Sequence, residues 1–175
     1  MSAEENKPVE EIKEDEEMGG LDEGIEEKVY KLMSSDGQEF ELSAQDCKLS
    51  KLISNMAEAD ASATEYNLDE VDGATLGHVV RYLQHHGGKE PAEIKKPVRS
   101  LKMAKIVEDE FDAKFIDDFE VKDIFSVILA ANYMDIQSLL NLGCAKIATM
   151  IKGKKPEDMK KVLSGESTEA AAEAS

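Results

Sequence analysis

Three histidines have the clearest capacity for chemistry in this sequence, because an imidazole can bind a transition metal or exchange a proton near neutral pH. His78, His85 and His86 all fall on one predicted helix that ends at Gly87. On a helix, adjacent His85 and His86 point about 100° apart, and His78 lies two turns, roughly 10.5 Å, from His85. No pair has the one-turn spacing with which two helical histidines share a zinc ion. We therefore expect a solvated helix and no metal site.

The other candidates for catalysis lack the contexts that reactive groups need. Cys47 and Cys144 have neither CxxC spacing nor a catalytic histidine motif, so free thiols are expected. The glycines form no phosphate-binding pattern, and neither a GxSxG nor an HExxH motif is present. The acidic run at 108–110 lacks the spacing of a calcium-binding EF-hand loop. The sequence thus predicts no catalytic residue, no cofactor, no metal and no enzyme activity.

The charge balance excludes two classes of partner. The chain has 38 acidic against 21 basic residues and a formal net charge of -17, so nucleic-acid backbones and anionic membrane surfaces would repel it. Its longest apolar stretch, residues 124–131, is far too short to span a bilayer. We therefore expect neither a nucleic acid nor a membrane as partner, and a soluble protein inside the cell.

The first half of the ordered region is predicted to begin as a small sheet. Strand-like runs at 29–33 and 39–42 flank Gly37, which can supply the positive φ of a hairpin turn. Ser43 and Asp46 resemble a capping box, which predicts a helix starting at Ala44. The run Tyr66-Asn67-Leu68 is a candidate third strand.

Helical periodicity dominates the chain from Gly73 onward. Apolar residues spaced at i, i+3, i+4 and i+7 predict a helix at 73–86, which the Gly87-Gly88 pair ends. Further along, the pattern predicts an exposed loop to about Ile106, a helix with Phe111, Phe115 and Phe119 on one side, a centrally buried helix at 121–134, a helix at 136–151 with Asp135 as its N-cap, and a short helix at 156–163.

Both ends of the chain have the composition of tails. Residues 1–27 are dominated by Glu and Asp, and residues 164–175 are small and polar. Neither segment can bury enough apolar surface to offset the entropy of ordering it, so both are expected to be disordered.

The last two predicted helices are richer in apolar residues than a terminal hairpin requires. They include Met150 and Met159, whose flexible thioethers suit an adaptable binding surface but are equally common as core fillers. The residues alone leave a binding face and a packed face open.

Two stretches of the sequence resemble the Skp family, the S-phase-kinase-associated adaptor subunits of SCF ubiquitin ligases. They are VYKLMSSDGQEFELS at 29–43 and IFSVILAANYMDIQSLLNLGCAKIATMIKGKKPEDMKKVL at 124–163. The resemblance covers residues 28–163. It implies an α+β BTB/POZ fold at 28–134, in which a small sheet is flanked by helices, followed by F-box-binding helices at 135–163.

The resemblance also implies the function and the contact residues. A member of this family is a non-catalytic adaptor that bridges F-box substrate receptors to the N-terminal domain of a cullin scaffold, for ubiquitin-dependent degradation in the cytoplasm and nucleus. The cullin contact carries over to Asn132 and Tyr133. The F-box contact carries over to the apolar residues of the last two helices: Ile147, Met150, Ile151, Met159, Val162 and Leu163.

Two alternatives remain open beside this adaptor function. The chain could resemble elongin C in its role, or serve a non-ligase assembly that binds F-box proteins without a cullin. The free protein could also form a homodimer. The presence of both the Asn132-Tyr133 element and the MIKGKKPED segment favours the adaptor.

Overall fold

The computed structural model describes residues 28–165, so both predicted tails lie outside the described residues, apart from Ser164 and Gly165. Within that range the chain is an α+β domain, as predicted. Its strands are β1 (Val29–Ser34), β2 (Glu39–Ser43) and β3 (Glu65–Leu68). Its α-helices are α1 (Lys51–Ala59), α2 (Gly73–His86), α3 (Glu110–Asp117), α4 (Val121–Tyr133), α5 (Gln137–Ile151) and α6 (Pro156–Leu163).

The sheet has the order β2-β1-β3, with β1 antiparallel to β2 and parallel to β3. The hairpin prediction is confirmed: Gly37 has a φ of +82° in the turn, a conformation that glycine adopts without steric cost. The third strand is also confirmed, with Leu32 of β1 opposite Tyr66 of β3. Buried side chains such as Leu32 and Leu68 face the helices and begin the core.

The predicted helix from Ala44 is wrong in its start and its continuity. The Ser43 hydroxyl does accept a hydrogen bond from the Asp46 amide at 3.1 Å, as a cap would. However, only a 3₁₀ turn, Asp46–Leu49, follows, and Ser50 then takes an extended conformation. Ser50 caps α1 instead, because its Oγ accepts from the Ile53 amide at 3.3 Å.

Helix α2 has the predicted bounds and ends at Gly87, whose φ is +54°. The loop that follows is less exposed than predicted, because Ile94 and Met103 are both buried in the core. A short 3₁₀ turn spans Met103–Lys105, and Lys152 Nζ donates to the Val98 carbonyl at 2.9 Å. The buried Ile94 and Met103 side chains and the hydrogen bond from Lys152 therefore hold this loop against the domain. Its Pro and Lys content alone predicts a solvated loop.

Helix α4 is buried on one face only, so the prediction of a centrally buried helix is wrong for its outer side. Ile124 and Val127 are fully buried, whereas Phe125 is 36% and Leu129 69% exposed. The buried face packs against α5, where a side chain at Gly143 would come within 2.5 Å of Ile128 Cγ1. No helix among the described residues has the length and apolar character needed to cross a membrane.

The turn between α4 and α5 differs from the prediction that Asp135 caps α5. Asp135 has a φ of +49° and ends α4. Its amide donates to the Asn132 carbonyl at 3.2 Å, and the Ile136 amide donates to the Ala131 carbonyl at 2.8 Å. This pair of bonds is a Schellman motif with Asp at the left-handed position, which Asp tolerates better than most residues. Helix α5 consequently begins at Gln137, without a side-chain cap.

Candidate functional site: two protein-contact surfaces

The outer face of α4 presents apolar side chains to solvent. Phe125, Leu129 and Asn132 are spaced at i, i+4 and i+7, so they lie along one stripe of the helix, and all three are exposed. Tyr133 borders this stripe and is half-buried. We call these four residues the α4 surface. A continuous apolar stripe next to a tyrosine and an amide is typical of a protein-contact site.

Tyr133 is held as a neutral phenol at one end of the α4 surface. Burial, and then the negative charges of Glu70 and Asp69, raise the pKa of its hydroxyl above the ordinary value. The hydroxyl therefore remains a hydrogen-bond donor at every physiological pH. Its ring packs against the hydrophobic core, so the orientation of the side chain is restricted before any partner binds.

The N-terminus of α1 fixes the end of α4 that carries Asn132 and Tyr133. The hydroxyl of Ser50, which is fully buried, donates to the Met134 carbonyl at 2.7 Å. The Lys51 and Leu52 amides, which no intrahelical carbonyl can satisfy, donate to the carbonyls of Asp135 and Met134 at 3.3 Å. The turn after α4 therefore satisfies backbone amides at the start of α1 that have no partner within that helix. These bonds hold in place the end of α4 that carries Asn132 and Tyr133.

Sequence reasoning missed Phe125 and Leu129 as surface residues because it interpreted them as core. A signal for them was present: both lie on the helical stripe of Asn132, at i−7 and i−3. Extending the stripe from Asn132 toward the N-terminus of α4 would have found them.

The six residues predicted for the second contact lie on α5 and α6. Ile147 and Met150 are half-buried against the core, and Ile151 and Met159 are half-buried outside it. Leu163 is 39% exposed. We call these five residues the α5–α6 surface. The sixth, Val162, is only 8% exposed on a helix that contacts α5, so in the free chain its side chain is already covered.

Local sequence explains why α6 forms as a separate short helix. Gly153, with a φ of +75°, follows α5 and prevents the helix from continuing. Pro156 occupies the first turn of α6, where no hydrogen bond from its backbone nitrogen is needed. Acidic residues fill the first turn and lysines the last, which complements the helix dipole. Helix α6 forms in this way and contacts α5.

The two cysteines differ in their exposure. Both are free, as predicted. Cys47 is buried, and burial raises the pKa of its thiol to about 12, so almost no thiolate exists at neutral pH. Cys144 is exposed on α5.

These features define a class of protein: an α+β module with two separate candidate contact surfaces on adjoining helices. Comparison with protein-family models identifies the family. Residues 28–87 match the family model described as the Skp1 family, tetramerisation domain, and residues 137–173 match the Skp1 family, dimerisation domain. The chain belongs to the Skp1 family. The predicted BTB/POZ fold is thus confirmed for the N-terminal part.

Curated relatives agree with this assignment over most of the chain. The S-phase kinase-associated protein 1 homolog of Tetrahymena thermophila is 38% identical over 133 residues, which cover 76% of this chain and 80% of the relative. The E3 ubiquitin ligase complex SCF subunit sconC of Arthroderma benhamiae is also 38% identical, over 75% of this chain and 80% of its own. Suppressor of kinetochore protein 1 of Schizosaccharomyces pombe is 36% identical over 139 residues, 76% of this chain and 83% of the relative.

Proposed function

We propose that this protein is a non-catalytic adaptor of an SCF-type ubiquitin ligase, which holds an F-box substrate receptor and a cullin scaffold at the same time. Relatives named as SCF subunits support this proposal. The observation that carries it is the exposed stripe formed by Phe125, Leu129 and Asn132, because a second contact surface away from α5 and α6 is what a bridging subunit needs.

The α4 surface is the proposed cullin site. Burying a fully exposed Leu or Phe side chain contributes about 1.5–3 kcal/mol. Leu129, at 69% exposure, can supply a large part of such a contribution, and Phe125, at 36%, a smaller part. Asn132 and the Tyr133 hydroxyl add directional hydrogen bonds beside them. Such an arrangement, with apolar anchors next to an oriented tyrosine, is typical of interface hot spots.

The α5–α6 surface is the proposed F-box site. Its exposed and half-buried Ile, Met and Leu side chains can pack against the helices of a partner, and the flexible methionines allow that surface to accept different F-box sequences. Val162 contributes indirectly, because its burial keeps α6 against α5. We accordingly divide the chain into a BTB/POZ domain at 28–134 and F-box-binding helices at 135–163.

Charge and exposure suggest the remaining properties. The net charge of -17 disfavours nucleic acids and anionic membranes as partners, and we propose a location in the cytoplasm and nucleus, where SCF substrates are marked for degradation. Without an F-box partner, the partly exposed apolar side chains of α5 and α6 favour self-association, so a homodimer of the free protein is part of the proposal.

Calorimetry with two purified partners tests the proposal. The full chain is titrated with an F-box domain and, separately, with a cullin N-terminal domain, and the three proteins are then mixed and examined by light scattering. We expect both partners to bind and a 1:1:1 complex to form. Binding of the F-box domain alone would favour the elongin-C-like or non-ligase alternative. Failure of both titrations would contradict the adaptor function.

A further inference from the structure

Two histidine–carboxylate pairs join the C-terminus of α2 to the N-terminus of α3. His85 Nε2 lies 2.8 Å from Asp109 Oδ2, and His86 Nε2 lies 2.8 Å from Asp112 Oδ1. The second pair is deeply buried, with both side chains 6% exposed, whereas the first is about one-third exposed. The four side chains thus form a cluster that is closed on the protein side and open to solvent at His85 and Asp109.

One ligand atom from each of His85, His86 and Asp109 lies within 4.8 Å of the other two. Ligand bonds of about 2.0–2.2 Å place the donors of a zinc site within roughly 3–4 Å of each other. A small rotation of the exposed His85 and Asp109 side chains would close the difference. We propose that these three residues bind one divalent transition-metal ion, Zn²⁺ or an ion of similar preference.

The donor set determines the class of metal. Two imidazole nitrogens and one carboxylate oxygen suit Zn²⁺, Co²⁺ or Ni²⁺, whereas Mg²⁺ and Ca²⁺ prefer sites made entirely of oxygen. Three protein ligands leave a fourth position for water, because structural and catalytic zinc is usually four-coordinate. Asp112 holds the His86 ring through its hydrogen bond and places a second carboxylate beside the three ligands, in the manner of residues that orient metal-binding histidines.

Aromatic packing restricts the orientation of both imidazole rings, His85 and His86. The Phe111 ring stacks on His85 with centroids 3.7 Å apart and planes inclined by 11°. The Tyr82 ring lies 4.4 Å from that of His86. Asp109 is fixed as well, because it is the N-cap of α3 and its Oδ1 accepts from the Phe111 amide at 2.8 Å. These contacts therefore confine the ligands to a narrow range of orientations, and the partly exposed His85 and Asp109 retain the small rotation that an ion requires.

A cavity that Asp109 and Asp112 help to line adjoins the cluster and supplies an independent observation. The cavity, of about 270 Å³, is also lined by Tyr82 and Ser138, among others. The Tyr82 side chain is fully buried, and its hydroxyl, which lies near Ser138, makes no hydrogen bond of good geometry among residues 28–165. A buried hydroxyl without a partner is costly. Water held in this cavity could bond to Tyr82 and connect it to the hydration of a bound ion.

The sequence alone argued against this site because it considered histidine pairs within one helix. The third ligand, Asp109, comes from 24 residues beyond His85 and is brought there by the anchored loop between α2 and α3. The strongly negative chain also raises the local concentration of cations. A bound ion would tie together the two ends of that loop, and so would stabilise the folded state in proportion to its occupancy.

Metal titration of the full chain tests the site. Cys144→Ser serves as the background, because the exposed Cys144 thiol could itself bind zinc. ZnCl₂ is titrated by calorimetry, and CoCl₂ binding is followed by visible absorption. The ligand variants are His85→Gln and Asp109→Asn, the latter chosen because Asn retains the helix cap. His78→Gln is the matched control, since His78 packs on Phe119 at 4.5 Å and not in the cluster.

We expect one Zn²⁺ per chain, a Co²⁺ spectrum of tetrahedral intensity, and a Tm that rises with Zn²⁺ but not with Mg²⁺. The affinity should fall roughly tenfold or more in His85→Gln and Asp109→Asn and remain unchanged in His78→Gln, while far-UV circular dichroism shows that all variants are folded. The proposal is overturned if both ligand variants bind Zn²⁺ as the background does, or if Zn²⁺ binds no more tightly than Mg²⁺.

Discussion

The hydroxyl of Ser50 donates to the carbonyl of Met134 at 2.7 Å, across 84 residues of chain. The same oxygen accepts from the Ile53 amide, so one buried side chain both starts α1 and holds the end of α4. This bond ties the first helix of the domain to the turn that presents Asn132 and Tyr133. The stability of the domain and the geometry of the α4 surface consequently depend on the same residue.

Replacing Ser50 by Ala should be strongly destabilising. The substitution removes an N-cap, at about 1 kcal/mol, and removes the shorter of the two hydrogen bonds to the Met134 carbonyl, at about 0.5–1.5 kcal/mol, while the Leu52 amide keeps the other. We expect the free energy of unfolding in urea to fall by roughly 1.5–2.5 kcal/mol. Ser126→Ala is the control, because Ser126 bonds only to its own helix at Lys122, and it should change stability by less than about 0.5 kcal/mol. Equal stability of the two variants would contradict the dual role of Ser50.

The left-handed conformation of Asp135 predicts an unusual order of stabilities. Glycine adopts a φ of +49° without strain, whereas alanine has no short polar group to compensate for it. Asp135→Gly should be at least as stable as the native chain, and Asp135→Ala should be less stable than Asp135→Gly by about 1 kcal/mol. Thermal denaturation of the three proteins provides the measurement. If the alanine variant were the most stable, the left-handed conformation at residue 135 would be contradicted, because alanine adopts that conformation only with strain.

Charge introduced at the predicted cullin contact should separate the two binding activities. Asn132→Lys combined with Tyr133→Lys places two cations on the α4 surface and none on α5 or α6. We expect cullin binding to weaken at least tenfold and F-box binding to stay within twofold, both measured by calorimetry. Loss of both activities together would indicate an unfolded chain and would remove support for this site.

Leu129→Glu tests the part of the α4 surface that only the structure revealed. Leu129 is 69% exposed, so the folded state should tolerate a carboxylate there, while an apolar interface should not. Affinity for the cullin N-terminal domain is expected to fall at least tenfold, with Tm nearly unchanged. Gln84→Glu adds the same charge at an exposed position on α2 and should leave the affinity as it was. Similar affinities for both variants would place the cullin contact elsewhere.

Ile151→Asp addresses the α5–α6 surface. A buried carboxylate without a partner costs several kcal/mol at an apolar interface, so F-box binding should become undetectable in a pull-down with an F-box domain, while cullin binding is retained. Gln84→Asp carries the same added charge away from the site. Undiminished F-box binding by Ile151→Asp would exclude α5 and α6 as the contact.

The sequence predicts well the helices and strands that end at a glycine, because glycine adopts positive φ without steric cost. Gly37 and Gly87 both have positive φ, and the hairpin and α2 therefore have nearly the predicted bounds. Ser43 and Asp135 were misjudged as helix-starting residues because Ser and Asp can start a helix, interrupt one or end one, and only tertiary contacts decide among these. Residue type alone did not contain that information.

The exposed stripe on α4 and the histidine cluster were missed for different physical reasons. Phe125 and Leu129 have the side chains of core residues because a partner is expected to cover them, and periodicity does not distinguish a protein core from an interface. The cluster unites His85 and His86 with Asp109 through the folding of a loop, which no local pattern encodes.

The close approach of α4 and α5 at Gly143 gives the molecule a further property. The proposed cullin site lies on α4 and the proposed F-box site begins on α5, and the two helices meet at Gly143 without room for a single additional carbon atom. Under the proposed function, the protein acts as a spacer of fixed length and angle. A wider crossing of α4 and α5 at this glycine would therefore change the angle between the two bound partners.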